Sequence, residues 1–367
     1  MRKGYLGRRW RLAVAGLLGT VLGLAGACGP PGAAPGRAIG AEAPRDAGAA
    51  SPAGAEAPAA TPVRLRVAYS ELTPGQSVPW ISYEAGIFAR HGLDVELRYI
   101  ASAQTVAAVL ADEVEIAIGG GQAAISSRLA GSDLLIFLGV TSWLPYDLMV
   151  VPEINSVEDL RGKTLGVSRF GSSSDVATRR VLRRLGLEPE RDVVLIQTGS
   201  LQERIAAMRA GAVAGGLASP PQTILLRRAG FKTLLDLADV GEPSLNSVAF
   251  AKESWLRANE AVAQAFTNAM LDGIHFAKTN RAVAERVIGQ YLKLDDPEML
   301  AEAYDYYIAR HMSRVPYPSL EAGQQYLESV NETDPRAAGA RVSDFFDLRF
   351  LERAVASGLV ERLYGRD

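Results

Sequence analysis

The chain has 367 residues, 48% of them hydrophobic and 22% charged, with a formal net charge of −2. That is enough apolar material for the cores of two ordinary domains, and it provides no basic field for nucleic acid. The single cysteine excludes a disulfide framework or a multi-cysteine metal centre, and the three histidines, His91, His275 and His311, stand too far apart in sequence to form a ligand motif.

Residues 1–27 open with Arg2, Lys3, Arg8, Arg9 and Arg11 and then run apolar from Leu12 to Ala27. A charged start, a short apolar stretch and small residues at its end are the parts of a secretory signal. The run ends in Leu24-Ala25-Gly26-Ala27-Cys28, which resembles a bacterial lipoprotein signal, in which the cysteine is acylated and becomes the mature amino terminus. The pattern departs at Ala25, where such signals usually place a large aliphatic residue. An ordinary cleaved signal or an uncleaved anchor is the alternative. Arg8-Arg9 hints at twin-arginine export, whereas Arg11 favours general secretion. Residues 28–62 then form a Gly, Ala, Pro and Ser tether headed by Cys28, too poor in apolar surface to offset the entropy of ordering.

From Val63 the texture changes. Leu65-Arg66-Val67-Ala68-Tyr69 predicts a strand, Pro79 to Arg90 a helix stopping near Gly92, and Leu93-Asp94-Val95-Glu96-Leu97 a half-buried strand. Helices over 105–110 and 122–130 flank a buried strand over 114–118, and 134–140 is a further apolar strand. This alternation predicts parallel βαβ units and an α/β fold. A second copy follows: Leu65-Arg66-Val67 answers to Leu165-Gly166-Val167, and Ser102, Gln104 and Leu110 answer to Ser200, Gln202 and Met208. The helices after the next strands open at Gly120-Gly121-Gln122 and at Ser219-Pro220-Pro221-Gln222. Two similar α/β lobes are the simplest account. After residue 247 the pattern turns helical, with Phe266, Met270, Ile274 and Ala277 on one face and Val283, Val287, Ile288 and Tyr291 on another. Asp296-Pro297-Glu298 reads as a helix start. Tyr304, Tyr307, Ile308 and His311 continue an apolar stripe, in which His311 reads as a packing residue.

In open α/β sheets ligands sit beyond the carboxyl ends of strands, often at helix amino termini. The unusual residues fall there: Ser70, Gln76 and Trp80 after the first strand, Gly120, Gly121 and Gln122 after the third, and Thr141 and Trp143 after the fourth. The second copy offers Phe170, Gly171, Ser172, Ser173 and Ser174, then Ser219 and Pro220. Glycine lets backbone approach a ligand, and serine at a helix start adds a hydroxyl. Turn and cap duties are the competing explanation for these residues, and core packing for Trp80, Trp143 and Phe170. No catalytic set emerges: Gly171-Ser172-Ser173-Ser174 is not a nucleophile elbow, and Gly119-Gly120-Gly121 has neither dinucleotide nor phosphate-loop spacing. The sequence implies no cofactor and no metal.

The body resembles the substrate-binding proteins of ABC transporters, and more narrowly the nitrate/sulfonate/taurine-type and thiamine-pyrimidine-type (NMT1/THI5-like) group. Pro79-Trp80-Ile81 through Phe88, His91-Gly92-Leu93-Asp94-Val95, Ile116 to Gly121, Ser168 to Asp175 and Leu217 to Pro221 carry the likeness. The resemblance implies a periplasmic-binding-protein type II fold, with lobe one over 63–147 plus 248–367 and lobe two over 148–247. Crossovers are then expected near Tyr146-Asp147-Leu148 and Asn246-Ser247-Val248. It also implies an exported monomer, anchored to the outer face of the cytoplasmic membrane or free in the periplasm, that delivers a small molecule to an ABC permease. Two alternatives share the fold. One is a solute sensor for a membrane receptor. The other is a pyrimidine-precursor synthase, a branch known for a cysteine-rich motif that this chain lacks. Serine hydroxyls and helix amino termini favour an anionic ligand, whereas the aromatic residues favour a planar heteroaromatic one.

Overall fold

The computed structural model describes residues 61–170, 173–331 and 334–365, without the side chains of residues 102, 103 and 173. The export signal, Cys28 and the tether therefore lie outside the described residues, as do Gly171 and Ser172.

Among the described residues ten strands form two five-stranded sheets. The first holds β1 (Val63–Tyr69), β2 (Leu93–Tyr99), β3 (Ile116–Gly119), β4 (Leu134–Thr141) and, from much later in the chain, β10 (Ser247–Lys252). The second holds β5 (Asp147–Val150), β6 (Thr164–Val167), β7 (Val194–Gln197), β8 (Gly215–Ala218) and β9 (Lys232–Asp236). Their orders, β2-β1-β3-β10-β4 and β7-β6-β8-β5-β9, are the same topology. In each, three parallel strands from βαβ units are followed by an antiparallel fourth and then an edge strand. The fourth strand is the one the chain delivers on crossing from the other half: β5 enters straight after β4, and β10 straight after β9. The weak echo between the two copies in the sequence is thus a shared topology.

Strand β4 is buried along its whole length and β3 likewise, as expected of strands covered by helices on both faces. The helix expected over 79–90 starts earlier and breaks. It runs Ser77–Glu84 and resumes at Ile87–Arg90, because Gly86 between them takes a left-handed conformation at φ 66°. The helix Glu260–Thr279 buries Phe266, Met270, Ile274 and Ala277 against the first sheet's core, as their spacing predicts. Burying a phenylalanine such as Phe266 contributes about 2–3 kcal/mol. Asp296 caps the helix Pro297–Ala303, accepting from the backbone N–H of Glu298 at 3.0 Å and of Met299 at 3.2 Å.

The chain leaves the first sheet after Thr141, enters the second at Asp147, and returns between Asp236 and Ser247. These two connections run together: Leu237 N–H donates to the Tyr146 carbonyl at 2.8 Å, and Ser244 N–H to the Ser142 carbonyl at 3.3 Å. The late helical region also grips the second sheet's helix Thr223–Arg228. Arg227 pairs with Glu302 at 2.5 Å, and Arg228 with Asp296 at 2.7 Å. Among the described residues no helix is long and apolar enough to cross a membrane.

Candidate functional site

Where the crossovers meet the carboxyl ends of the inner strands, the two sheets face one another across a cleft. One cavity of about 290 Å³ is lined from the first half by Glu71, Gly120 and Gln122, from the crossovers by Tyr146 and Asn246, and from the second half by Val176 and Arg180. A neighbouring cavity of about 330 Å³ lies on the second sheet and is lined by Ser168, Ser174, Arg204, Ser219 and Gln222. Tyr146 lines both.

The most unusual group here is Arg204, on the helix Leu201–Arg209 and only 3% exposed. Its guanidinium donates to the Leu217 carbonyl, to Ser168 Oγ at 3.1 Å and to Thr198 Oγ1 at 3.3 Å, all neutral oxygens. Its seat depends on a glycine: a Cβ on Gly216 would lie 2.7 Å from Arg204 Cδ and 2.5 Å from the Gly166 carbonyl oxygen. Burial pulls the guanidinium below the ordinary arginine range. On the facing wall Glu71 follows β1, and burial pushes its carboxyl up. Arg180 is differently placed, because Glu242 and Gln325, the latter at 2.6 Å, already hold it. Tyr146 is raised chiefly by burial, with Glu71 adding and Arg204 opposing.

A second polar cluster stands at the crossovers. Asp236, at the end of β9, accepts from the Tyr306 hydroxyl at 2.8 Å and meets His311 Nε2 at 2.9 Å. His311 is therefore more than the packing residue its stripe suggests. It pairs with a buried carboxylate while its ring rests 4.6 Å from Tyr306 and 5.9 Å from Trp143. Asp147, directly across from Asp236 in the sheet, is pushed up to about 7 by burial and by its neighbour's charge. Asp239 brings a third ligand atom within 4.8 Å of Asp236 and His311. However, Arg310 lies 3.5 Å from Asp236, an arrangement that satisfies the carboxylate and repels a cation.

The residues singled out from the sequence divide by place. Gly120 and Gln122 line the first cavity, and Ser174 and Ser219 the second. Behind the wall, Ser70 and Gln76 bond to each other: Gln76 Nε2 donates to Ser70 Oγ at 3.1 Å while its Oε1 accepts from Ser70 N–H at 3.0 Å. Thr141 is buried and donates to the Gly75 carbonyl at 2.9 Å. Gly121 lies against Leu245, and a Cβ there would meet that side chain at 2.7 Å. Trp80 is fully buried and stacks on Tyr291, 4.9 Å away, while Trp143 packs against the first core. Phe170 is 53% exposed, with Arg179 over its ring. Pro220 precedes Pro221 through a cis bond beside Ser219. Ser173 starts the helix Ser173–Arg184.

Sequence reasoning missed Glu71, Tyr146, Arg180, Arg204 and Asn246. A signal existed for Arg204, which falls with Ile205 and Met208 on the buried face of its helix, where a charge is out of keeping. Glu71 is likewise the one charged residue between β1 and Gln76.

The family model described as "NMT1/THI5 like" matches residues 81–284, more than half of the chain. YtlA of Bacillus subtilis (strain 168), named as a candidate binding protein, is 23% identical over 262 residues, covering 68% of this chain and 77% of that one. The periplasmic aliphatic sulphonate binding protein SsuA from Escherichia coli superposes with a TM-score of 0.61 at 19% identity, covering 78% of this chain and 92% of its own. The periplasmic nitrate-binding protein NrtA from Synechocystis PCC 6803 gives 0.59 at 14% identity, covering 81% and 89%. At such identities these two likenesses establish the fold, that of the periplasmic binding proteins of type II.

Proposed function

The chain belongs to the NMT1/THI5-like family, and on that premise we propose that it is the substrate-binding protein of an ABC importer, exported and held outside the cytoplasmic membrane through Cys28. In this reading the lobes span 63–147 plus 248–367 and 148–247. They close on a small anionic solute, and the closed form is read by a membrane permease. The observation that carries the reading is the cleft itself, with a buried arginine on one wall and backbone glycine, serine and amide groups around it. Such a site binds and orients; it contains no nucleophile–base pair among the described residues, which favours capture over chemistry. The serines and Arg204 favour an anionic group over a purely heteroaromatic ring, since the tryptophans expected to stack on a ring are buried or packed against the core. A sensor that hands the same closed form to a receptor would use identical geometry.

The test is a thermal-shift screen of the chain against sulfonates, nitrate, aromatic carboxylates, pyrimidines and thiamine precursors. A true solute at one hundred times its dissociation constant stabilises the fold by about 2.7 kcal/mol. An anionic hit supports the reading. A cooperative melt that no compound moves counts against it.

A further inference from the structure

We propose that the ion pairs joining the helix Thr223–Arg228 to the helix Pro297–Ala303 and its cap form an electrostatic latch, which sets the angle between the two halves of the molecule from outside the cleft. Its members are positioning residues: they touch no solute, and they favour the arrangement that encloses one. The latch belongs to the ligand-free chain and does not depend on which solute the cleft takes.

The two jaws belong to separate cores. Leu226, in the first of these helices, is buried with Met149, Met208 and Val213 of the second half. Ala303, ending the other helix, and Tyr304 after it are buried with Leu65, Val67 and Phe137 of the first. What joins them is polar. Glu302 accepts from Thr223 Oγ1 at 3.1 Å and from Arg227 at 2.5 Å. Arg228 grips Asp296 with both terminal nitrogens, at 2.7 and 3.1 Å, and reaches Glu298 at 2.5 Å. In these pairs the cations all come from the second half and the anions from the first. The side chains of Arg227 and Arg228 are 36% and 47% exposed, so water and salt compete for both. Such pairs add little to the stability of a fold, and a joint made of them yields before either core does.

Beside the latch stands a joint of the other kind. The π-helical turn Tyr304–Arg310 follows directly, and the His311 N–H donates to the Tyr306 carbonyl, five residues back, at 3.2 Å. That register brings the Tyr306 and His311 rings within 4.6 Å of each other, and both side chains reach Asp236 at the crossover. Buried and fully engaged, Asp236 serves as the pivot, and the ion pairs farther along both segments are the end that can move. Arg227, Arg228, Asp296, Glu298 and Glu302 line neither cleft cavity. They therefore act on the cleft through the angle alone. In the arrangement seen, both halves wall the first cavity, and Arg180 of the second half reaches Gln325 of the first at 2.6 Å. The latch supports this enclosing form. Apparent affinity falls with the fraction of molecules in the competent form, so loosening the latch weakens capture.

Double electron–electron resonance on the ligand-free full chain tests this. Spin labels go at Asp94→Cys and Val194→Cys, exposed positions on the corresponding edge strands β2 and β7, in a Cys28→Ser background. Arg227→Glu turns the pair with Glu302 into a repulsion and should lengthen and broaden the measured distance. Adding Glu302→Arg should restore the wild-type distribution, a rescue that a role confined to one helix does not produce. The milder Arg227→Gln with Arg228→Gln should shift the distance the same way while the protein still melts cooperatively, and about 1 M salt should move the wild type toward it. Equal distances in the wild type and the double Gln variant overturn the latch, as does a failed rescue in a protein that melts like the wild type. Propanesulfonate, titrated into the same proteins, should bind the double Gln variant about tenfold more weakly than the wild type. Equal affinity despite a changed distance would sever the latch from capture. If propanesulfonate binds neither protein while the distances respond, the latch stands and the failure falls on the anionic-solute reading.

Discussion

Two clusters of buried charge in this molecule are treated in opposite ways. At the crossovers Asp236 is surrounded by donors from another part of the chain, Tyr306, His311 and Arg310. In the cleft, a guanidinium at least as well buried has only neutral oxygens around it, and a carboxyl across from it has none of its own. Folding alone accounts for the first cluster, because a buried charge is tolerated when it is paired and hydrogen-bonded. It does not account for the second. The contrast teaches where to look for function: at buried charge that the chain's own residues leave unmatched.

Removing a charge from each cluster sharpens the contrast. Asp236→Asn should cost about 3 kcal/mol, because it removes the buried negative charge and turns one accepting oxygen into an amide donor that faces Tyr306 or His311; urea unfolding at pH 7 reads the loss. Gly216→Ala should cost about 2 kcal/mol by overpacking the Arg204 trough, and ligand affinity should fall with it. Arg204→Met, although it deletes a buried charge and three hydrogen bonds, should cost less than about 1 kcal/mol of ligand-free stability. A loss as large as that of Asp236→Asn would break the comparison. Phe170→Ala, at an exposed ring, should change stability by less than about 0.5 kcal/mol.

Acidity gives a further handle on the crossover cluster. The Asp147 carboxyl rises from 3.8 to about 7 on folding. Well below pH 3.8 it is protonated in both states. As the pH climbs from there to about 7, the unfolded chain gives up the proton first, so this group's contribution to stability falls and then levels off. Asp147→Asn removes that fall. Denaturation curves of the two proteins, matched at pH 4, should therefore diverge in favour of the variant by pH 7, and parallel curves would contradict the assignment.

Much of the fold was legible in the chain because it was written in period and punctuation. The apolar runs at 134–140 and 165–167 sit in strands β4 and β6, and the spacing of Phe266, Met270, Ile274 and Ala277 gave the buried face of a helix. Helix ends were legible only where a cap announced them, as at Asp296, and not at Gly86, where one backbone conformation splits a continuous pattern. The candidate site was harder to read. Its glycines and serines follow strands, so position in the βαβ unit pointed to Gly120, Gln122, Ser174 and Ser219. Whether an aromatic side chain turns to the cleft or to the core depends on which helix covers it. Trp80 meets Tyr291 from a helix far along the chain, and no local pattern states that. Arg204 and Glu71 went unseen for a related reason: a charge looks solvated until the structure shows it withdrawn from water with no counter-ion beside it.

The most direct test is the melting of the wild type and Arg204→Met, each with and without propanesulfonate at saturating concentration. The account predicts two cooperative melts of similar midpoint without ligand, with ligand stabilising the wild type alone. Equal stabilisation of both proteins would show that the buried guanidinium does not hold the solute, and would contradict the claim that unmatched charge marks the site.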